Sequence, residues 1–309
     1  EFSSITTGYR VPEASVSGSI NFEGANAVEN VKVSVNSTET NTNKSLVFIG
    51  ESYIDISSVA SGFSANPDAN SFTFSTWMKP GVTTTDYWED IFTIGNSITF
   101  RRKNNTYVFA VPLNTDGGAD NVVYWSDEEI NSWSQMTITY NQATSTTNFY
   151  VNGDLKNTRT HLLKPQFSNT SIIEISSDNS LWTKPYVGSL DEIRLWNRAL
   201  TAEEETNSYD RYIDKNDEGL IAMYHCDEGL GGNIYDQSKS DIGYNKNDGS
   251  FVGSVSYSDD CPSPSQISNY ALTDENGNYI IEGIRYGESG GNFTVSPQTT
   301  NTYYETPHQ

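Results

Sequence analysis

Basic residues, histidines and cysteines are scarce in this chain of 309 residues. Lysine and arginine together number 18 against 40 acidic residues, for a net charge of -22. A field of that sign repels nucleic acid and anionic membrane, and it favours cations, above all calcium bound through Asp and Asn oxygens. No run of about 18 apolar residues occurs, so no membrane insertion is expected, and no charged-then-apolar leader opens the chain. The histidines, His161, His225 and His308, lie far apart, and Gly-x-Ser-x-Gly, His-Glu-x-x-His and zinc-type cysteine pairs are all missing. Those absences leave no recognisable nucleophile or metalloprotease motif. The two cysteines, Cys226 and Cys261, flank a segment rich in Gly, Asp and Ser. A disulfide closing it would contribute roughly 3 to 4 kcal/mol in an oxidising compartment; the alternative is two free thiols.

What is present is β-structure. Short alternating runs such as 15–22, 31–35, 45–49, 53–56, 71–78, 91–94, 107–111, 121–125, 134–140, 146–151, 171–175 and 188–196 are separated by Gly, Asn, Asp and Ser clusters. That spacing points to antiparallel sandwiches, not to βαβ units. One helix is expected, over about 202–212, where Thr201 and Glu204 are spaced as a capping box and acidic residues fill the first turn. Asn276-Gly277 marks a tight turn between strands. A length prior of about 150 residues per domain suggests two domains.

Three stretches stand in a specific order. Phe72-Thr-Phe-Ser-Thr-Trp77-Met-Lys79 comes first, then Trp133 leading through Thr139-Tyr140 to Tyr150-Val-Asn-Gly153, then Gly188-Ser-Leu-Asp-Glu-Ile-Arg-Leu-Trp-Asn-Arg-Ala-Leu200. Together they resemble the laminin-G-like branch of the concanavalin A-like jelly rolls, and the likeness extends over about 45–257. The resemblance implies an all-β jelly-roll sandwich at 44–262. The outer stretches, Val16-Ser-Gly-Ser with Val31-Lys-Val-Ser-Val35 on one side and Thr273-Asp-Glu-Asn-Gly-Asn-Tyr-Ile-Ile-Glu-Gly283 on the other, resemble the two halves of a carboxypeptidase-regulatory-like, Ig-like or prealbumin-like sandwich. That implies a small discontinuous domain of 13–40 and 265–298 with the jelly roll held in one of its loops; the alternative assigns the two ends to separate modules. Lengthening a loop from about 5 to about 230 residues costs on the order of 3 kcal/mol if the insert is floppy. A folded insert with adjacent ends costs much less. The polar flanks 1–12 and 299–309 read as linkers to neighbouring modules of a longer chain.

Jelly-roll glucanases carry a Glu-x-Asp-x-x-Glu strand, because retaining chemistry needs two carboxyl groups about 5.5 Å apart; that pattern is missing. Asp191 and Glu192 are adjacent and, in a regular strand, face opposite ways. No catalytic residues are expected. Asp116, Asp120, Asp178 and Asp191 stand in turns or at a strand end and are candidate calcium ligands, as the resemblance also implies, or turn residues bonded to their own backbone. Trp77, Trp133 and Trp196 read as core. Tyr87, Trp88 and Trp182 sit in polar loops and are the candidate ligand-binding aromatics, since a flat ring matches the apolar face of a pyranose; the alternative is a loop Trp that caps the end of the core. The function expected is a non-catalytic extracellular binding or adhesion module for glycan or protein at a bacterial cell surface. A ligand-free structural spacer of a surface fibre is the alternative.

Overall fold

The structure, a computed structural model, describes residues 13–20, 29–37, 43–63, 70–82, 87–95, 97–110, 122–126, 132–161, 164–165, 168–177, 183–238, 247–263, 267–285 and 293–298. It divides into two units. The larger comprises the described residues within Asn43–Tyr209 and Lys215–Pro262, the smaller those within Val11–Thr42, Asp210–Asp214 and Ser263–Gln309.

Two sheets form the larger unit. The first runs Asp154–Thr160, Thr146–Val151, Ser134–Asn141, Phe72–Pro80, Gly188–Trp196, Ser45–Phe48, Val255–Ser258, with Leu220–Tyr224 also paired to Gly188–Trp196. The second runs Asn233–Ile234, Gly249–Val252, Tyr53–Asp55, Ile173–Ile175, Trp88–Ile94, Ile98–Lys103, Thr106–Ala110, Val122–Ser126, with Thr183–Pro185 parallel to Trp88–Ile94. Sequence alternation fills the space between them. Phe72, Phe74 and Met78 face inward from the first sheet, and Phe92, Ile94, Ile98 and Phe100 face inward from the second. Phe74 stacks on Phe92 with ring centroids 4.2 Å apart and planes 11° from parallel. Burying each such side chain contributes about 1.5–3 kcal/mol.

Local chemistry fixes the turns and caps. In the hairpin joining Thr146–Val151 to Asp154–Thr160, Asn152 has φ 51° and Gly153 has φ 77°, the left-handed pair that a two-residue turn requires. A Cβ at Gly153 would also meet the Tyr209 ring at 2.5 Å. The capping box forms: Glu204 N–H donates to Thr201 Oγ1 at 3.2 Å, and Thr201 N–H donates to Glu204 Oε2 at 2.7 Å. The helix spans Ala202–Ser208 and stops short of the expected 212. Asn207 and Ser208 are modest helix formers, and the next residues are engaged elsewhere. Asp210 carbonyl accepts from Ser268 N–H at 3.1 Å, and its carboxylate accepts from Tyr270 Oη at 2.6 Å, within the smaller unit. A further short helix, Ala60–Phe63, follows a 3-10 turn at Ser57–Val59 and had no sequence signal.

The first and last strands of the larger unit are neighbours, with Ser45 paired to Ser258 and Phe48 to Val255. Ser45 Oγ donates to the Asp260 carbonyl at 2.7 Å, and Lys44 is ion-paired with Asp259.

In the smaller unit Lys32–Ser37 lies between Asn269–Leu272 and Phe293–Gln298, and Glu13–Ser19 pairs with Asn278–Arg285. Val33, Val35, Ala271, Ile281 and Ile284 form its core. Gly277 has φ 75°, and Asp274 Oδ1 accepts from the N–H groups of Asn276 and Asn278, both at 2.8 Å. The turn is therefore present, but it joins strands of two different sheets instead of closing a hairpin.

Cys226 and Cys261 are both free thiols, so the expected disulfide is not formed. Cys226 is fully buried and points its thiol at the Tyr224 carbonyl, 3.6 Å away, while Cys261 faces the Asn43 carbonyl at 3.8 Å. Among the described residues no helix is long and apolar enough to cross a membrane.

Candidate functional site

Trp88 is not in a loop, contrary to the sequence reading; it is the first residue of the strand Trp88–Ile94. A bulge between Asp90 and Phe92 shifts the register against Ile98–Lys103, where Asp90 pairs with Arg101 and Thr93 with Thr99. Since Phe92, Ile94, Ile98 and Phe100 enter the core, alternation turns Trp88, Asp90, Thr93, Thr99, Arg101 and Lys103 to the other face. The row continues through Glu174, opposite Thr93, to Asp55, opposite Glu174.

Accessibility concentrates at one corner of this face. Asp90, Thr93 and Thr99 are buried, Trp88 and Lys103 are half-buried, and Tyr87 is 46% exposed. Asp90 Oδ1 accepts from Thr99 Oγ1 at 3.0 Å and lies 3.4 Å from Arg101 Nε. That Nε is buried and makes no hydrogen bond. Burial pulls the Arg101 pKa below its ordinary value, and the Asp90 charge opposes the shift. Arg102, one residue on, points inward: Nε donates to Glu89 Oε2 at 2.7 Å, and Nη2 donates to the carbonyls of Gly81 and Val187 at 2.8 and 3.0 Å. It lies over the Tyr186 ring. Arg102 therefore braces the sandwich, while Arg101 and Lys103 lie on the Trp88 face.

A second polar cluster lies on the Gly188–Trp196 strand. A bulge between Asp191 and Arg194 leaves Glu192 with φ 47°, so Asp191 and Glu192 do not follow simple strand alternation. Glu192 Oε1 is 2.7 Å from His225 Nδ1, and Oε2 accepts from Arg194 Nη2 at 3.1 Å; all three side chains are buried. Cys226, with φ 61°, has its thiol pushed up by burial and by Asp191, Glu228 and Glu192. A thiol held protonated is a poor nucleophile. From the helix, Glu205 is buried against Gln135 and Thr137; burial pushes it up to about 7, opposed by Thr137 and Arg194. Glu192, Arg194, His225 and Glu205 are each 2% exposed or less.

Of the sequence-derived candidates, Tyr87 is exposed and the adjoining Trp88 is half-buried at the start of its strand. Trp182, Asp116, Asp120 and Asp178 fall outside the described residues. Asp191 is buried, with Oδ1 accepting from Glu192 N–H at 2.8 Å. Among the described residues no group of three His, Cys, Asp or Glu is placed to hold a metal ion. Trp77, Trp133 and Trp196 are buried as expected, though outside the main apolar cluster. Sequence reasoning missed Asp90, Arg101 and Lys103 as neighbours of Trp88. Their signal was available, because Arg101-Arg102-Lys103 is the one place where basic residues adjoin. It also missed the Glu192, His225 and Arg194 cluster, whose members no local motif connects.

Fold and corner together define an all-β sandwich module. A laminin-G family model, described as the concanavalin A-like lectin/glucanases superfamily, matches residues 48–204, half of the chain, and the chain belongs to that family. Among solved structures it is similar to a candidate carbohydrate-binding protein from Bacteroides ovatus, with 14% identity over 82% of this chain and 93% of the other and a TM-score of 0.52. It is also similar to the Ruminococcus gnavus sialidase CBM40 bound to sialyllactose, with 12% identity, coverage of 55% and 100%, and a TM-score of 0.41. A Limulus polyphemus pentraxin shows 14% identity, coverage of 85% and 98%, and a TM-score of 0.36. No curated protein matches it in sequence. At these identities the likeness concerns the fold.

Proposed function

We propose that the chain is a non-catalytic extracellular binding or adhesion module that recognises glycan at the corner formed by Tyr87 and Trp88, as one unit of a larger bacterial surface protein. The observation that carries this reading is the half-buried Trp88 beside the exposed Tyr87, on a face whose neighbouring side chains are polar. An indole supported at one edge stacks on a pyranose with little loss of side-chain entropy, and polar neighbours take the hydroxyls. The description of the Bacteroides ovatus protein agrees in kind.

In this reading the smaller unit is a carboxypeptidase-regulatory-like sandwich that displays the jelly roll. The ladders joining Glu13–Ser19 to Asn278–Arg285 and Lys32–Ser37 to Phe293–Gln298 support it. In this reading calcium assists through Asp116, Asp120, Asp178 or Asp191, of which the first three lie outside the described residues. A glycan array at millimolar calcium tests the recognition. Signal on a defined sugar class that disappears with Trp88→Ala supports it, and uniformly blank arrays favour the spacer. Calorimetric melting in calcium and then in chelator tests the ion; an unchanged midpoint removes it.

A further inference from the structure

Of the seven residues of the helix Ala202–Ser208, only Glu205 is buried, at 1% exposed. A surface helix ordinarily seats itself through an apolar stripe. This one instead lowers a carboxylic acid against Gln135 and Thr137. Since Met136, Ile138 and Tyr140 enter the core, alternation turns Gln135 and Thr137 to the outer face of the first sheet. The ends of the helix are held by other means. Before it, Leu200 N–H donates to Thr73 Oγ1 at 2.9 Å; at its end, Arg194 Nη1 donates to the Ser208 carbonyl at 3.4 Å. Between those anchors the acid alone goes down.

The site does little for a negative charge. Gln135 Nε2 already donates to Ser75 Oγ and Thr137 Oγ1, both at 2.6 Å, and Glu205 Oε1 is buried with no hydrogen bond. From the neighbouring strands Glu205 also faces Arg194 and Tyr150, whose pKa burial and the Glu205 charge both raise. Arg194 Nη2 is engaged by Glu192, which also holds His225. On the helix itself Glu203 is exposed, and Glu204 accepts from Arg198. Burial outweighs the opposing help of Thr137, Arg194 and Gln135, and Glu205 is pushed up to about 7. A carboxylate ionised there regains its hydration only by leaving. We propose that the helix is a proton-operated clasp: with Glu205 protonated it sits on the sheet, and with Glu205 ionised it lifts and uncovers Gln135 and Thr137. The docked state holds the extra proton, so docking is full below about pH 4, weakens as pH rises to about 7 and is constant above.

Hydrogen–deuterium exchange of the whole chain from about pH 5 to about pH 9, corrected for the intrinsic exchange rate, tests it. Opening of the 205–209 amides rises about tenfold per pH unit between about 5 and about 7 and levels off above, while the amides of Ser134–Asn141 keep their protection. Glu205→Gln, of the same shape and unable to ionise, holds the helix amides at one level of protection across the range. Should Glu205→Gln fail to fold, Glu205→Leu, equally unable to ionise, decides. Glu203→Gln, on the exposed side of the same helix, retains the native pH dependence. Helix protection that ignores pH in the native protein overturns the clasp. So does a native slope that survives in the Glu205 variant, a slope lost equally in Glu203→Gln, or an equal loss of protection in the helix and in Ser134–Asn141.

Discussion

Among the described residues the larger unit has 34 side chains in its buried apolar cluster and the smaller has five. The larger is a two-sheet sandwich whose aromatic rings stack across the interior, so its strands are over-determined by packing. The smaller holds three ladders, in two sheets, between segments far apart in the chain. In one contact between them, Val31 N–H donates to Thr273 Oγ1 across 242 positions. With so little apolar area to bury, that unit depends on its hydrogen-bonded edges. A large core tolerates functional compromise at its rim, and a small one has nothing to spare.

The sharpest way to break this contrast is inside the larger core. Phe74→Ala removes the ring stacked on Phe92 and is expected to cost about 3–5 kcal/mol in urea denaturation followed by tryptophan fluorescence. Ile281→Ala, in the smaller core, is expected to cost about 2–5 kcal/mol. On five core residues that abolishes the smaller unit's calorimetric transition while the larger unit's remains. A single transition lost as a whole would mean the two cores are not separable.

Response to pH differs in sign between individual carboxyls, since the larger unit holds the lowered Glu204 and Asp260 as well as raised ones. In the larger, burial raises Glu205 to about 7 and Asp236 to about 6, so between the unfolded carboxylate range and those values the folded state binds more protons. The contribution of these two groups is full below about pH 4 and declines as pH rises towards 7, by roughly 1.4 kcal/mol per pH unit per group. Glu205→Gln flattens that decline in a denaturation series from pH 4.5 to 8; an unchanged slope contradicts the buried-carboxyl account. In the smaller unit, hydrogen bonds from Asn278 and Asn276 lower Asp274. Its contribution is present above the unfolded carboxylate pKa and disappears as pH falls through the folded one. Asp274→Ala therefore shifts the smaller unit's melting point slightly at pH 7 and not at pH 2.5.

The contrast also explains what could be read from the residues alone. Strands with clean alternation, such as 134–140, 146–151 and 188–196, fall within a residue or two of Ser134–Asn141, Thr146–Val151 and Gly188–Trp196. Ile98–Lys103 was hidden because half of it is charged, although Arg102 faces inward on the partner Glu89. Asp154–Thr160 was hidden because nearly all of it is exposed and polar. Losing Ile98–Lys103 meant losing the neighbours of Trp88, so the aromatic half of the corner was legible and its cationic half was not. The Asp191 and Arg194 bulge defeated a strict two-residue period, and the Glu192 to His225 contact joins strands that no local motif relates.

The central claim is that recognition resides at the Trp88 corner of the larger unit. Its most direct test is the affinity of native protein and Trp88→Ala for a sugar that scores on the array, read by calorimetry alongside each protein's melting curve. The account predicts a loss of about tenfold or more with the melting midpoint nearly unchanged, since Trp88 lies outside the packed core. Equal affinity in the two proteins would contradict it.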